Sequence, residues 1–332
     1  MEATRRFLAG MGLPPADLHA LPSSTKRFPD GAQYRVELPS TEGPDALAAI
    51  IEEADRYQII IHRVSQGSGV MLLTDDEIRA MARLAQTRRM EVSLFARPNA
   101  AWDTGAMAVS SGGKSVSARL RGQDQLVYCL EDVHRAAALG IRSVLLADEG
   151  ALWVAGKMRQ AGALPSTMQF KISVMMASAN AASILLMERL GADTFNIPTD
   201  LSLAQIAAIR QAVDIPLDIY VEVPDDLGGF VRLYEIPELV RIAAPVYLKF
   251  GLRNAPNIYP AGKHIESVSL ALSRERVHRA KIGLDLLARY YPEAIQSQPG
   301  ATGLAIPLLE QTSIHPNNPA LPGNSQAETD AV

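Results

Sequence analysis

The strongest chemical candidates lie in a segment that otherwise looks like a buried strand. In "LDIYVEVPDDLGG" (217–229), aliphatic residues alternate with Asp218, Tyr220 and Glu222. Successive side chains of a strand point to opposite faces, so one face is aliphatic and the other carries two carboxylates and a phenol. We predict Glu222 as a general base or metal ligand and Asp218 as a second catalytic acid. A structural ion pair is the alternative for both.

Two lysines occupy comparable positions in other strand-like segments. Lys171 lies in "MQFKISVMM" (168–176), and Lys249 lies in "APVYLKFGL" (244–252). A lysine in a low-dielectric site has a lowered pKa and can act as a base or a Schiff-base nucleophile. It can instead neutralise buried carboxylates. We predict catalytic roles for both lysines, and the sequence leaves the structural role open.

A metal site is one further hypothesis. Carboxylates and one imidazole lie near predicted strand ends, and no HExxH motif is present. Such an oxygen-rich set suits Mg²⁺ or Mn²⁺ better than Zn²⁺. The predicted ligands are Glu37, His62, Asp148 and Glu149. His62 alone has a common alternative role as a hydrogen-bonded interior histidine.

Candidate anion-binding groups follow three strands. The glycine-rich turn "SQGSG" (65–69) has backbone amides that can hold a carboxylate or phosphate. "GLRN" (251–254) follows the last strand, where many barrels bind phosphate. Arginine can clamp a carboxylate with two parallel hydrogen bonds. The predicted substrate-binding residues are Arg97, Arg253, Asn196, Tyr220, Ser65 and Gly67.

These residues lie on a regular alternation of strand-like and helix-like segments. The alternation runs from residue 33 to residue 295 and contains eight strands, each followed by a helix. Most strands have one apolar and one polar face, which favours a closed (β/α)8 TIM barrel over an open sheet covered on both sides. The second strand leaves open whether His62 or Arg63 points inward. Thr74 and Glu77 predict a capping box at one helix start.

The predicted domain organisation has three parts. Residues 1–32 form an N-terminal extension, residues 33–295 form the barrel, and residues 296–332 form a flexible C-terminal tail rich in Pro and Asn. Polar strand faces then meet inside the barrel, where charges are costly unless paired. We expect Lys171, Lys249 and nearby arginines to pair there with the interior carboxylates.

Composition limits the compartment and the partners. The 332 residues carry a net charge of −4 with no Lys- or Arg-rich stripe, which argues against a nucleic-acid partner. No apolar run reaches the ~20 residues of a membrane helix. The single cysteine, Cys129, cannot hold a cysteine-ligated iron–sulfur cluster within one chain, and it suits a cytoplasmic protein. We expect a small-molecule substrate, and the sequence leaves a homo-oligomer open.

One stretch resembles a known family. "LGADTFNIPTDLSLAQIAAIRQAVDIPLDIYVE" (190–222) is similar to the family known as peptidase U32, whose corresponding strand reads Glu-x-Phe-Val-His-Gly. Asp218 matches the acid of that motif and Tyr220 its aromatic residue, whereas Glu222 replaces the histidine. The resemblance implies a barrel fold and, by the family name, peptidase activity. The cysteines that hold an iron–sulfur cluster in hydroxylase-type members have no counterparts here.

The residues therefore favour an enzyme that acts on a small, polar, anionic metabolite. Lyase or isomerase chemistry by proton abstraction next to a carbonyl is our first hypothesis, with Glu222 or a lysine as base. A hydrolase, including the peptidase that the family name implies, is the second hypothesis. A non-catalytic binding or assembly component that has lost the family cofactor is the third.

Overall fold

The computed structural model describes residues 2–15, 21–97 and 118–309. Eight parallel strands form a closed barrel in chain order, and the first strand pairs with the last. The predicted TIM barrel is therefore confirmed. The strands are β1 (Tyr34–Leu38), β2 (Arg63–Ser65), β3 (Glu91–Phe95), β4 (Ser143–Leu146), β5 (Gln169–Ile172), β6 (Thr194–Asn196), β7 (Leu217–Glu222) and β8 (Val246–Phe250).

One helix precedes the barrel, and a helix follows each strand. The helices are α1 (Glu2–Gly10), α2 (Pro44–Tyr57), α3 (Asp75–Arg88), α4 (Gly122–Ala138), α5 (Glu149–Gln160), α6 (Ala181–Arg189), α7 (Leu203–Ala212), α8 (Ile236–Ala243) and α9 (Glu266–Tyr290). The predicted capping box is confirmed, because the Thr74 side chain accepts from the Glu77 N–H and the Glu77 side chain accepts from the Thr74 N–H. No helix within the described ranges is long and apolar enough to cross a membrane.

The hydrophobic core lies between the sheet and its helices. Val36, Val64, Val92 and Val144 are fully buried in it, one from each of the first four strands. Side chains at the alternate positions point into the barrel. The apolar outer face thus anchors the helices, and the inner face is left to polar residues.

An arginine closes the amino-terminal end of the barrel interior. Arg35 donates from Nε to Ser297 Oγ at 2.9 Å and from Nη2 to the Thr302 carbonyl at 2.8 Å. Its guanidinium lies 4.0 Å from the Phe28 ring centroid, and Nη1 donates to Tyr247 Oη at 3.1 Å. The predicted extension and the predicted tail therefore both supply partners to a buried barrel residue.

The segment after α9, which the sequence analysis assigns to the tail, contacts the barrel interior. Ala305 N–H donates to Glu91 Oε1 at 2.9 Å, and both residues are buried. Residues 296–309 pack across the amino-terminal end of the barrel, where they supply further partners to interior charges that the strands satisfy only in part. The remaining part of the predicted tail, residues 310–332, lies outside the described residues.

Candidate active site

Glu37 is the centre of a layer of buried charges inside the barrel. Its Oε2 accepts from Arg63 Nη2 at 2.5 Å and from Lys171 Nζ at 2.9 Å. Its Oε1 accepts from Ser65 Oγ at 2.8 Å and lies 3.3 Å from Lys249 Nζ. Three cations thus surround one fully buried carboxylate. Arg63, not His62, is the β2 residue that points inward.

Asp218 is the second carboxylate of this layer. It accepts hydrogen bonds from Arg63 Nη2, from Lys171 Nζ and, at 3.2 Å, from Thr194 Oγ1. Lys171 therefore bridges Asp218 and Glu37 and is itself only 1% exposed. The expected pairing of interior lysines with interior carboxylates is confirmed for these residues.

The mutual pairing shifts the pKa values of the layer. Burial by itself raises the pKa of Glu37, but Arg63, Lys171 and Lys249 together hold it well below its usual range. Burial, together with the neighbouring Arg63, lowers the pKa of Lys171 to about 8, against the opposing effect of Asp218 and Glu37. Glu37 is consequently ionised. Lys171 loses its proton more readily than an ordinary lysine does.

A cavity of about 410 Å³ opens above this layer, at the carboxyl ends of the strands. Lys249 lies at its floor, with Glu37 beneath it. The Lys249 ammonium is 4.5 Å from the Tyr220 ring centroid. With the Asn196 amide oriented to satisfy both neighbours, its oxygen accepts from Lys249 Nζ at 3.0 Å and its nitrogen donates to the Asp218 carbonyl at 3.1 Å. Three other predicted site residues, Glu37, Tyr220 and Asn196, therefore surround the Lys249 ammonium group.

Arg97 forms part of the cavity wall and is held by an aromatic environment. Its guanidinium lies 4.9 Å from the Phe95 ring centroid and 5.9 Å from that of Tyr259, and Nη1 donates to the Gly67 carbonyl at 2.7 Å. Burial lowers the pKa of Arg97, yet a guanidinium stays charged at neutral pH. The wall thus presents a fixed cation near the cavity floor.

The first predicted anion-binding turn is occupied by a side chain of the protein itself. Gly67 N–H donates to Glu42 Oε1 at 2.7 Å, and Ser68 N–H donates to Glu42 Oε2 at 3.0 Å. Gly67 still lines the cavity, and so does Ser65. The turn does cradle a carboxylate, as its sequence suggests, but that carboxylate is internal.

The second predicted anion-binding segment is occupied in the same way. Arg253 N–H donates to Glu222 Oε1 at 2.9 Å, and Asn254 N–H donates to Asp225 Oδ2. The Arg253 side chain is 56% exposed, with Nε 3.6 Å from Asp225 Oδ1. Arg253 is therefore not among the residues that line the cavity.

Glu222 follows a register irregularity between Tyr220 and Glu222 in the pairing of β7 with β8. Its carboxylate is directed to the Arg253 N–H and lies 3.7 Å from Arg279 Nε on α9. It is absent from the cavity lining, although Tyr220 on the same strand belongs to it. Strict alternation predicts Glu222 on the inner face, but the irregularity turns the end of the strand away from the interior. A catalytic role for Glu222 stays a prediction that this placement does not favour.

The four predicted metal ligands are held in separate places. Glu37 belongs to the charged layer, and His62 accepts from the Val36 N–H and contacts the Ser297 carbonyl. Asp148 caps α5, and Glu149 pairs with Arg119. No group of three His, Cys, Asp or Glu side chains able to hold a metal occurs in the part of the chain that the structure describes. The four predicted ligands therefore do not fit one shared metal ion.

Asp226 and Tyr259 of the cavity lining were not predicted from the sequence, and the orientation of Arg63 in the layer below was left open. Asp226 lies on a short 3-10 helix after β7, and among the described residues of the lining it is the only carboxylate. Tyr259 comes from the loop after β8, and no strand periodicity marks it. Arg63, in the layer below, was predictable, because it lies two positions before Ser65 and so on the same strand face.

One part of the chain matches a known protein family. Residues 122–222 match the model of peptidase family U32. This part of the chain is similar to that family. The match runs from α4 to the end of β7 and contains Lys171, Asn196 and Asp218, which confirms the resemblance noted in the sequence. No curated protein sequence matches the chain.

Several solved structures are similar to this chain. The U32 peptidase Mk0906 shares 16% identity over 62% of this chain and 74% of its own, with a TM-score of 0.36. A 3-hexulose-6-phosphate synthase shares 16% identity over 73% and 98%, with a TM-score of 0.39. A truncated 3-deoxy-D-arabino-heptulosonate 7-phosphate synthase from Thermotoga maritima shares 12% identity over 84% and 96%, with a TM-score of 0.40. Likeness at this level carries no information about activity.

Proposed function

We propose that this protein is an enzyme that removes a proton next to the carbonyl group of a small anionic metabolite. The reaction is of the lyase or isomerase type. The observation that carries this proposal is Lys249, whose ammonium lies between the Glu37 carboxylate and the cavity. An ammonium fixed at the floor of a pocket stabilises the negative charge that develops on an enolate oxygen.

The other groups of the cavity supply the remaining parts of such a reaction. Arg97 binds the anionic group of the substrate, since guanidinium groups pair well with carboxylates. Asp226 takes the role of base that the sequence assigned to Glu222, because its carboxylate belongs to the lining. Tyr220 and Tyr259 stay protonated, since burial raises the pKa of both well above its usual value. The Tyr220 hydroxyl is the donor in this scheme, because the Tyr259 hydroxyl already donates to Ser40 Oγ.

Glu37 is a positioning residue in this scheme. It holds the Lys249 ammonium from below and is held in turn by Arg63 and Lys171. Replacing Lys249 therefore leaves Glu37 with two cationic partners, and the charged layer stays satisfied. This makes Lys249→Met a variant that removes the cavity-floor charge without leaving an unpaired buried carboxylate.

The test is proton exchange in deuterated water. The full chain is incubated with a panel of small 2-oxo acids and hydroxy ketones, and NMR follows deuterium entering next to the carbonyl. Exchange by the wild type, lost at least about 100-fold in Lys249→Met and in Asp226→Asn, supports the proposal. Lys263→Met is the matched control, because Lys263 is 71% exposed and pairs with Asp45 outside the cavity.

Two results would contradict the assignment. Exchange that survives Lys249→Met but disappears in Glu222→Gln would return the reaction to the site that the sequence first suggested. No exchange with any compound would favour the non-catalytic binding role, the third hypothesis from the sequence. The mutual pairing of Glu37, Asp218 and Lys171 also fits such a role. Trapping with borohydride in the same samples separates a Schiff base on Lys249 from a purely electrostatic role.

A further inference from the structure

The cavity above the charged layer has two chemically different halves. On the side of β3 to β5, its lining comes from Phe95, Leu145, Val174 and Met175. Phe95 and Leu145 belong to one small hydrophobic cluster, against which Met175 packs. Lys249 lies on the opposite side, whereas the Arg97 guanidinium lies beside the apolar half, 4.9 Å from the Phe95 ring centroid. A ligand that fills the whole cavity must therefore present an apolar part to one half and a polar part to the other.

The charge of the lining favours a ligand with one negative charge. Lys249 and Arg97 are its two cations, and Asp226 is the single carboxylate among the described residues of the lining. The lining thus carries a net charge of about +1, with Glu37 compensating Lys249 from below. A dianion would gain less here than a monoanion, because Asp226 and Glu37 oppose the second charge.

The loops around the cavity are unsuited to a phosphate group. Backbone N–H groups at strand ends are the usual phosphate ligands of such barrels. In this chain the amides of Gly67 and Ser68 hold Glu42, and the amide of Arg253 holds Glu222. A phosphate carries a charge of about −1.5 to −2, and these carboxylates would repel it at the positions where it normally binds.

Taking the proposed cavity as the substrate site, we infer that the substrate is an unphosphorylated monocarboxylate with a branched aliphatic or aromatic substituent. The carboxylate and carbonyl face Arg97 and Lys249. The substituent lies against Phe95, Leu145 and Met175. This inference rests on the proposed function for the location of the site, and it names the class of compound on which that site acts.

The experiment is calorimetric titration of the full chain with three probes: phenylpyruvate, pyruvate and phosphoenolpyruvate. Phenylpyruvate is expected to bind roughly 10- to 100-fold more tightly than pyruvate, because its ring buries additional apolar surface. Phosphoenolpyruvate is expected to bind more weakly than phenylpyruvate. Equal or tighter binding of phosphoenolpyruvate, or no binding of phenylpyruvate, overturns the inference.

Paired variants locate the apolar half. Leu145→Ser should weaken phenylpyruvate about 10-fold and leave pyruvate unchanged, whereas Leu186→Ser, at a 53% exposed position on α6, should change neither. Val174→Thr keeps the side-chain shape and repeats the test if Leu145→Ser unfolds the protein. An unchanged ratio of phenylpyruvate to pyruvate affinity in both cavity variants contradicts the inference.

Binding is measured here without turnover, so the two proposals fail separately. The expected order of affinities without any proton exchange would leave the ligand class standing and remove the proposed chemistry. Proton exchange on a phosphorylated compound, with the opposite order of affinities, would keep the chemistry and remove the ligand class.

Discussion

Lowering the pH should destabilise the barrel through His62, a residue that is 1% exposed. Its Nδ1 accepts from the Val36 N–H at 3.0 Å, so the ring proton is on Nε2, which donates to the Ser297 carbonyl at 2.8 Å. Adding a second proton would remove the acceptor and charge a buried ring. Burial accordingly lowers the pKa of His62 to about 4, and the nearby Arg35 acts in the same direction.

The size and sign of the effect follow from proton linkage. The unfolded chain binds a proton at His62 near the ordinary pKa of 6.5, whereas the folded protein does so only near 4. Between these values the unfolded state carries more protons, so stability falls as the pH falls from 6.5 towards 4. His62 should therefore contribute a loss of about 2 kcal/mol in the free energy of unfolding between pH 7 and pH 5, and about 3 kcal/mol below pH 4.

Urea unfolding of the wild type and of His62→Gln at pH 7 and pH 5 measures this contribution. Glutamine offers both an acceptor for Val36 and a donor for Ser297 but does not titrate. Other groups that titrate in this window, such as Asp132, whose pKa burial raises to about 6, are present in both proteins and cancel. An equal loss of stability in the two proteins would refute the reasoning. So would an NMR signal of the His62 imidazole that titrates near pH 6.5.

Two further substitutions test the packing around the site and beneath it. Gly67→Ala would bring a Cβ to 2.5 Å from a Tyr259 ring carbon, and the displaced ring should cost about 1–3 kcal/mol in urea unfolding; an unchanged stability would show that the cavity wall is loose. Ser297→Ala removes the acceptor at 2.9 Å for the buried Arg35 Nε and should cost about 1–3 kcal/mol. Ser23→Ala, which removes an exposed serine–arginine hydrogen bond, should stay within about 0.5 kcal/mol, and equal effects of the two serine variants would contradict the argument.

The architecture was predictable because two periodicities agree along the chain. Strands with one apolar and one polar face recur between amphipathic helices, and this pattern favours a closed barrel over an open sheet that is apolar on both faces. The same alternation correctly places Glu37, Lys171, Asp218 and Lys249 inside. Their pairing follows from the cost of burying charge.

Local backbone geometry limited what the sequence could reveal about the site. Alternation fails at the irregularity after Tyr220, which is why Glu222 is turned towards α9. The occupation of the turn at Gly67 by Glu42 depends on contacts between separate loops, and no spacing in the sequence encodes it. Asp226 enters the cavity from a loop for which the strand period makes no prediction.

The sealing of the barrel by residues 296–309 has a consequence for protein synthesis. Glu91 on β3 receives its backbone hydrogen bond from Ala305, which is separated from it by 214 positions in the chain. Arg35 on β1 is separated from its partner Ser297 by 262 positions. While the ribosome is still making the last strands and helices, these early side chains have no such partners. The interior is therefore completed only after residue 305 has been made, and nascent chains that end before residue 296 should stay sensitive to protease.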